Sequence, residues 1–496
     1  MPIASTVSDQ LKEKCAVFGI IGRKFGDDTG LEAARLTFYG LWALQHRGQE
    51  SSGIVSTDGK ELYRHAAQGL VATVYREEDL EQLPGHLAIG HNRYSTSGGA
   101  DDWYNQPFID RKHNIALAHN GNLPDTSALE AFLTGRGVSV DRLNDSAMML
   151  AAISCYMDDG LKMTEAIKQA WPLFTGAFSI VAMDATTLVA FRDECGIRPL
   201  SIGTIDGGYV VASETCAFDT IGATFLREVE PGELLAIDDD GLRSERVRPA
   251  NLKLDIFEFV YFARPDSQMA GKRIDLIRQD FGRVMAQEFP LEADVIVPVP
   301  DSGVPAALGY AQASGIPFAM ALIKNRYIHR TFIRPTAALR ERDLKMKLNP
   351  VVDLIKDKRV VIVDDSIVRG TTMRHLVSMM FEAGAREVHL LISSPPVRYP
   401  DFYGINTPRQ SELMAAHMTV EEMRDHVGAT SLHFLSFDGM IAATGMPAEN
   451  FNNSCFTGDY PISIGQRAEE IRDLKPGETL PKTEHSPTKR ATAKTR

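Results

Sequence analysis

Two different rhythms of apolar residues divide this chain. Between residue 15 and about 240, short apolar runs at 16–21, 87–89, 115–118, 178–183, 188–191 and 209–212 are bounded by glycine and polar turns. Runs of that length between turn residues predict β-strands, and helical patterns interrupt them at 31–45 and 145–157. The mixture predicts a layered α+β domain of mostly antiparallel strands.

After the hydrophilic stretch 238–253 the rhythm changes. Apolar runs at 295–299, 360–363 and 388–392 alternate with helical segments, which predicts βαβ units and a parallel sheet. Between the last two runs, Met373, Leu376, Val377 and Met380 fall at i, i+3, i+4 and i+7, and Gly384 supplies a stop. From 472 to 496 the chain is rich in Lys, Thr, Pro and Glu with almost no large apolar residue, so a disordered tail is expected.

Length and charge narrow the classes. At about 100–200 residues per domain, 496 residues make two or three domains, which excludes a single small binding module. A net charge of −12 gives no broad footprint for nucleic acid or an anionic membrane, so any phosphate ligand must be held by a local pocket. No apolar run approaches the ~18 residues of a membrane span, and residues 1–14 lack the apolar core of a secretory signal. A cytoplasmic location is expected. Cys15, Cys155, Cys195, Cys216 and Cys455 form no C-x-x-C pair, which fits neither a disulfide framework nor a zinc ribbon. Cys155, Cys195 and Cys216 read as small buried hydrophobes.

The most informative segment is Arg359-Val-Val-Ile-Val-Asp-Asp-Ser-Ile-Val-Arg-Gly-Thr-Thr372. A buried strand leads into two acids and then a Gly-Thr-Thr turn that opens a helix. Backbone N–H groups around Arg369, Gly370, Thr371 and Thr372 sit where a helix N-terminus favours phosphate. Asp364 and Asp365 are placed to accept hydrogen bonds from a sugar diol or to approach a metal beside a diphosphate. The string resembles the 5-phosphoribosyl-1-pyrophosphate (PRPP) signature of type I phosphoribosyltransferases. That resemblance implies that Pro300-Asp-Ser-Gly303 is a pyrophosphate loop with Ser302 near Mg²⁺. It also implies that the stretch holding Lys324 and Lys347 is a mobile basic loop that closes over PRPP.

Cys15 opens the run Cys-Ala-Val-Phe-Gly-Ile-Ile21 behind a short polar leader. With Leu44-Gln-His-Arg-Gly-Gln-Glu50, Gly90-His-Asn-Arg-Tyr-Ser-Thr96 and Ala118-His-Asn-Gly-Asn-Leu123, it resembles a class II glutamine amidotransferase domain of the N-terminal nucleophile type. The chemistry suits an N-terminal cysteine. Its α-amine, with a pKa of about 7.7–8, is a base near neutrality, whereas a lysine at about 10.4 is mostly protonated. By resemblance, Asn120 and the Gly121 N–H form the oxyanion hole, Arg93 holds the glutamine α-carboxylate and Asp145 its α-ammonium. His46, His91 and His119 read as hydrogen-bonded structural residues. Lys14, Ala16 and Ala147 depart from the family's usual Glu, Gly and acid.

The two resemblances together imply an αββα glutaminase domain at 15–240 behind a removable leader at 1–14, followed by an α/β phosphoribosyltransferase domain with a parallel sheet at 255–450. They imply glutamine and PRPP as substrates, Mg²⁺ bound with PRPP, and ammonia passed to C1 of PRPP to give 5-phosphoribosylamine, the first committed step of purine synthesis. A homo-oligomer inhibited by purine nucleotides is expected, with no nucleic acid or membrane partner. Some relatives hold an iron–sulfur cluster on four cysteines. The corresponding stretches here, 255–258, 400–403 and 449–455, keep only Cys455, so no cluster is expected. Other amidotransferases lack the PRPP string, and PRPP-sensing repressors lack the nucleophile.

Overall fold

The structure is a computed structural model that describes residues 15–22, 32–94, 102–325, 348–405 and 409–471. The first half is a sandwich of two sheets. One has seven strands, ordered Thr224–Glu228, Ser201–Ile205, Gly208–Ala212, Ala16–Ile21, Leu87–Arg93, Ser51–Thr57 and Leu62–Gln68. The other has six, ordered Gly241–Arg246, Glu233–Asp238, Leu188–Arg192, Thr175–Met183, Ile115–Asp125 and Phe108–Asp110. Val17, Ile21, Val55 and Ile89 from one sheet pack with Ala116, Ala118, Val181 and Leu188 from the other. Because strands alternate their side chains, each sheet has a second apolar face to cover. Helices Ala33–Ala43 and Cys216–Ile221 cover the first, and Ser127–Gly135, Asp145–Asp158 and Met163–Ala170 the second. The four layers are helix, sheet, sheet, helix, as the sequence implied.

The second half is built on a parallel sheet of four strands in the order Val295–Pro298, Arg359–Asp364, Glu387–Ile392 and Ser431–Phe434. Helix Thr371–Glu382 buries Met373, Leu376, Val377 and Met380, the residues of its 3.6-residue stripe, and Gly384 follows with φ of 91°. At roughly 1.5–3 kcal/mol for each large apolar side chain fully buried, that stripe fixes the helix on the sheet. Its N-terminus then points at the strand ends carrying Asp364.

Both domain boundaries differ from expectation. Residues 241–246 complete a hairpin with Glu233–Asp238, so the first domain runs past 240. The strand is half-exposed and polar, which is why its sequence looks like a linker. At the other end the chain does not stop contributing at 450. Phe451–Asn452 pairs in parallel with Leu254–Asp255, and Tyr460, Ile462, Ile464 and Ile471 pack around Cys195 and Ile197 of the first domain. The leader and the tail expected at 1–14 and 472–496 lie outside the described residues.

Buried charges join the halves. The Arg47 guanidinium bonds Glu214 on its own domain and Glu258 on the other, and Arg198 continues the row to Glu258 at 2.6 Å and Asp255 at 2.7 Å. All five side chains are no more than 2% exposed. Charges so far from water persist only when paired, and here each guanidinium bridges two carboxylates. Burial opposes the ionisation of Glu214, but Arg47 and His46 outweigh it and hold the carboxyl well below the usual range.

Candidate active sites

In the first domain, Cys15 begins the strand Ala16–Ile21, whose neighbours are Leu87–Arg93 on one side and Gly208–Ala212 on the other. Ala16 lies opposite Asn92, so the Cys15 thiol and Arg93 come to the same end of adjacent strands, with Sγ 4.0 Å from the Tyr94 carbonyl. Ser213 ties this strand to the facing sheet. Its Oγ accepts the Val17 N–H at 3.0 Å and one N–H of the Asn120 amide at 3.4 Å. Gly121 follows with φ of 150°, and a Cβ there would fall 2.0 Å from the Ala177 carbonyl oxygen, so only glycine fits.

Asp145 opens helix Asp145–Asp158. Its carboxylate accepts the Leu123 N–H at 3.2 Å and the Ser146 N–H at 2.7 Å, which orients it toward the turn after Gly121. Asn144 caps the helix by accepting the Ala147 N–H at 2.9 Å, but Ala147 has no acid to reach back with. Arg93 is 5% exposed, and its guanidinium lies 5.3 Å from the centre of the Tyr104 ring. Cys15 and Arg93 thus share one strand end, while Ser213 links the Cys15 strand to Asn120 and Asp145 bonds the chain two residues past Gly121.

The three histidines are structural, as read. His91 is fully buried with Nε2 bonded to the His119 carbonyl at 3.1 Å, and burial lowers its pKa to about 3. His119 bonds Ser146 through Nδ1 at 2.9 Å, and burial lowers its pKa as well. His46 bonds Glu214 at 2.7 Å.

In the second domain, Asp364 and Asp365 close the strand Arg359–Asp364 and are 8% and 6% exposed. Burial drives both carboxyls above their usual range; the charge of Asp365 adds to the effect on Asp364, while Ser302, Ser366 and the positive charge of Arg278 offset part of it on Asp365. Gly370 precedes helix Thr371–Glu382 in the left-handed region, φ 78°, and has no side chain with which to cap it. The turn therefore brings backbone N–H groups together with the hydroxyls of Thr371 and Thr372 to the helix N-terminus. The loop before helix Val304–Ser314 adds Ser302 to the same pocket, and at Gly303 a Cβ would lie 2.4 Å from the Val363 carbonyl oxygen. That close fit holds the loop against the strand.

Two basic residues are tied up at the edge of this pocket: Lys324 pairs with Asp301, next to Ser302, at 2.9 Å on the exposed rim, and the Arg369 guanidinium bonds Glu412, its Nε at 3.0 Å. Lys347 lies outside the described residues.

The comparisons agree with this geometry. A glutamine amidotransferase domain matches residues 91–220 and a phosphoribosyl transferase domain residues 272–394. The amidophosphoribosyltransferase of Bacillus subtilis is 46% identical over 464 residues, which cover 92% of this chain and 96% of that one. The chain belongs to the amidophosphoribosyltransferase family.

The enzyme of that name from Synechocystis is also 46% identical, with 93% of this chain and 94% of the relative covered. Among solved structures, glutamine PRPP amidotransferase from B. subtilis complexed with ADP and GMP matches with a TM-score of 0.84 at 44% identity, covering 93% of this chain and 99% of its own. A structure described as the allosteric regulatory enzyme of purine biosynthesis matches at 0.85 and 45%, covering 91% and 97%. The chain is accordingly an amidophosphoribosyltransferase, a transferase of purine biosynthesis that joins a glutamine amidotransferase to a phosphoribosyltransferase.

Sequence reasoning missed what lies between the sites. Asn122 donates to the Phe402 carbonyl at 2.7 Å, and Gly404 packs on Gly121 and Arg198. Asp255 and Asp401, in stretches where some relatives carry cluster cysteines, are here bound to Arg198 and to the Tyr403 and Ile405 amides. Only the Ala118–Leu123 string held a signal, in an asparagine to which no role was given.

Proposed function

We propose that the two sites divide the reaction as follows. In the first domain Arg93 and Asp145 hold the α-carboxylate and α-ammonium of glutamine. The Cys15 thiolate attacks the amide carbon, Asn120 and Gly121 stabilise the oxyanion, ammonia departs and water hydrolyses the γ-glutamyl thioester. In the second domain the ammonia attacks C1 of PRPP and pyrophosphate leaves. The Gly370–Thr372 turn binds the 5-phosphate, and Asp364 and Asp365 face the ribose hydroxyls. The observation that carries this reading is that one chain holds both an uncapped helix N-terminus over two buried acids and a cysteine strand tied to Asn120 through Ser213.

The pocket fits Mg²⁺. Asp364 and Asp365 crowd two buried carboxyls that a cation would relieve, and Ser302 offers a further oxygen. Among the described residues no three acidic, histidine or cysteine side chains form a complete metal cage, which suits an ion that takes its other ligands from a diphosphate and water. Mg²⁺ would offset the growing charge on the leaving pyrophosphate. Lys324, with Lys347, is assigned to the loop that covers PRPP. Purine nucleotides are proposed as feedback inhibitors, the B. subtilis structure having been solved with ADP and GMP. A homo-oligomer in the cytoplasm, with no iron–sulfur cluster, completes the proposal; no helix among the described residues is long and apolar enough to cross a membrane.

Activation needs a free Cys15 amine, because a peptide nitrogen accepts no proton near neutrality. Cys15 has φ of 34°, a left-handed conformation that costs about 1–3 kcal/mol outside glycine and ceases to exist once the preceding peptide is cut. Intact mass, paired with glutamine- and ammonia-dependent synthesis of phosphoribosylamine, tests the scheme. Both activities are expected in chain that starts at Cys15, and only the ammonia-dependent one in chain that retains residues 1–14. Full glutamine use with the leader attached would sink the N-terminal-amine mechanism.

A further inference from the structure

Asn122 stands next to the oxyanion hole, yet its side chain is spent on the other domain. Gly121 is pressed from one side by its own sheet, where a Cβ would lie 2.0 Å from the Ala177 oxygen and 2.7 Å from His119 Nε2. Its other side meets the second domain. A Cβ at Gly404, where φ is 133°, would sit 3.5 Å from the Gly121 Cα and 3.4 Å from the Arg198 Cδ. Beside this contact the Asn122 Nδ2 donates to the Phe402 carbonyl at 2.7 Å.

The partner loop is tied down by hydrogen bonds of its own. The Asp401 carboxylate accepts the Tyr403 and Ile405 N–H groups, both at 2.9 Å. The Tyr403 hydroxyl bonds the Ile462 carbonyl and accepts the Ile462 N–H at 3.0 Å. Arg198, touched by Gly404, is fixed by Asp255 and Glu258. Gly121 therefore lies between a sheet and a loop that belong to different domains, and the Asn122 side chain bonds across that seam.

We propose that Asn122 is a positioning residue, through which the 402–404 loop of the second domain sets the geometry of the oxyanion hole at Asn120 and Gly121. The inference rests on the amidotransferase reading given above. An oxyanion exists only as the thiolate adds, so a hole held slightly out of place weakens the transition state and leaves glutamine binding, the task of Arg93 and Asp145, untouched. A structural role alone would instead lower every activity together.

The test is steady-state hydrolysis of glutamine, and separately ammonia-dependent synthesis, by the mature full-length enzyme and its Asn122→Ala and Asn122→Ser variants. The expected result is a fall of about 10- to 100-fold in kcat for glutamine hydrolysis, since misplacement on the ångström scale costs up to about 100-fold and loss of a donor 100-fold or more. The glutamine KM and the ammonia-dependent rate should stay within about twofold of the parent. Asn122→Ser keeps a small polar side chain too short to reach Phe402, and it decides the matter if Asn122→Ala does not accumulate as folded protein. An unchanged kcat, a loss carried by KM, or a parallel fall of ammonia-dependent synthesis would overturn the inference. If the parent itself hydrolyses no glutamine, the amidotransferase reading fails instead, and the two failures are told apart.

Discussion

The two sites are finished to different degrees by the protein alone. In the glutaminase, Asn120 is fully buried and Arg93 nearly so; Ser213 accepts from Asn120 and Val17, and Gln106 accepts the His119 N–H beside Asn120 and donates to Ser146. In the PRPP pocket, Thr371 is exposed, no side chain caps its helix, and two buried acids crowd each other. On the proposed reading, a small zwitterion would meet preset partners, whereas a polyanion with its metal would supply much of its own site. The protein leaves donors and acids waiting for it.

The sharpest way to break this contrast is to alter the waiting groups. Asp365→Asn or Thr371→Ala should lower ammonia-dependent synthesis by about 100-fold or more, as loss of a charge-stabilising group does, while basal glutamine hydrolysis persists. Parallel rates of ammonia-dependent synthesis in variant and parent at saturating PRPP would show that the pocket is misassigned.

Next comes the weld between the halves. Glu258→Gln leaves the buried Arg47 and Arg198 short of a counter-charge, and breaking such a pair costs about 3–5 kcal/mol. Denaturant unfolding should show the loss, with both domains melting earlier. An unchanged midpoint would mean that water reaches these guanidinium groups.

A pH series probes the preset side. His91 holds a pKa of about 3 in the fold, against 6.5 for an unburied imidazole, because burial disfavours the cation. Between those values the unfolded chain binds a proton that the native one refuses, so this residue's contribution to stability falls as pH drops from about 6.5 toward 3. His91→Gln, which keeps a donor for the His119 carbonyl, should flatten the acid limb of unfolding midpoint against pH. An identical slope would remove His91 from the account.

The smallest expected effect is at the helix that presents Asp145. Ala147→Glu supplies the acid missing from the capping box and adds charge at a helix N-terminus, for about 0.3–1 kcal/mol. A thermal melt reads it. A rise in the glutamine KM would show that the new carboxylate competes with Asp145 for the substrate ammonium.

How much of this was legible depended on distance along the chain. The strand Ala16–Ile21 was expected at 16–21 and helix Asp145–Asp158 at 145–157, because their apolar patterns are local. Strand Ser51–Thr57 was not, since its Ser-Ser-Gly-Ile-Val-Ser-Thr sequence is polar, and it is buried while paired between Leu87–Arg93 and Leu62–Gln68. Candidate residues within one motif, such as Asn120 and Gly121 or Asp364 to Thr372, could be proposed from that motif alone. Partners such as Asn122 and Phe402, 280 positions apart, or Arg47 and Glu258, 211 apart, could not. Nothing in either segment alone states that the other will meet it.

The return of residues 451–471 onto the first domain also has a meaning in time. During synthesis the glutaminase half leaves the ribosome first, yet the residues that pack over Cys195 and Ile197 are among the last to be made. The loop that abuts Gly121 likewise arrives only after the turn at Gly370–Thr372. A nascent chain therefore gains the last contacts of its first domain only after most of the second has been made.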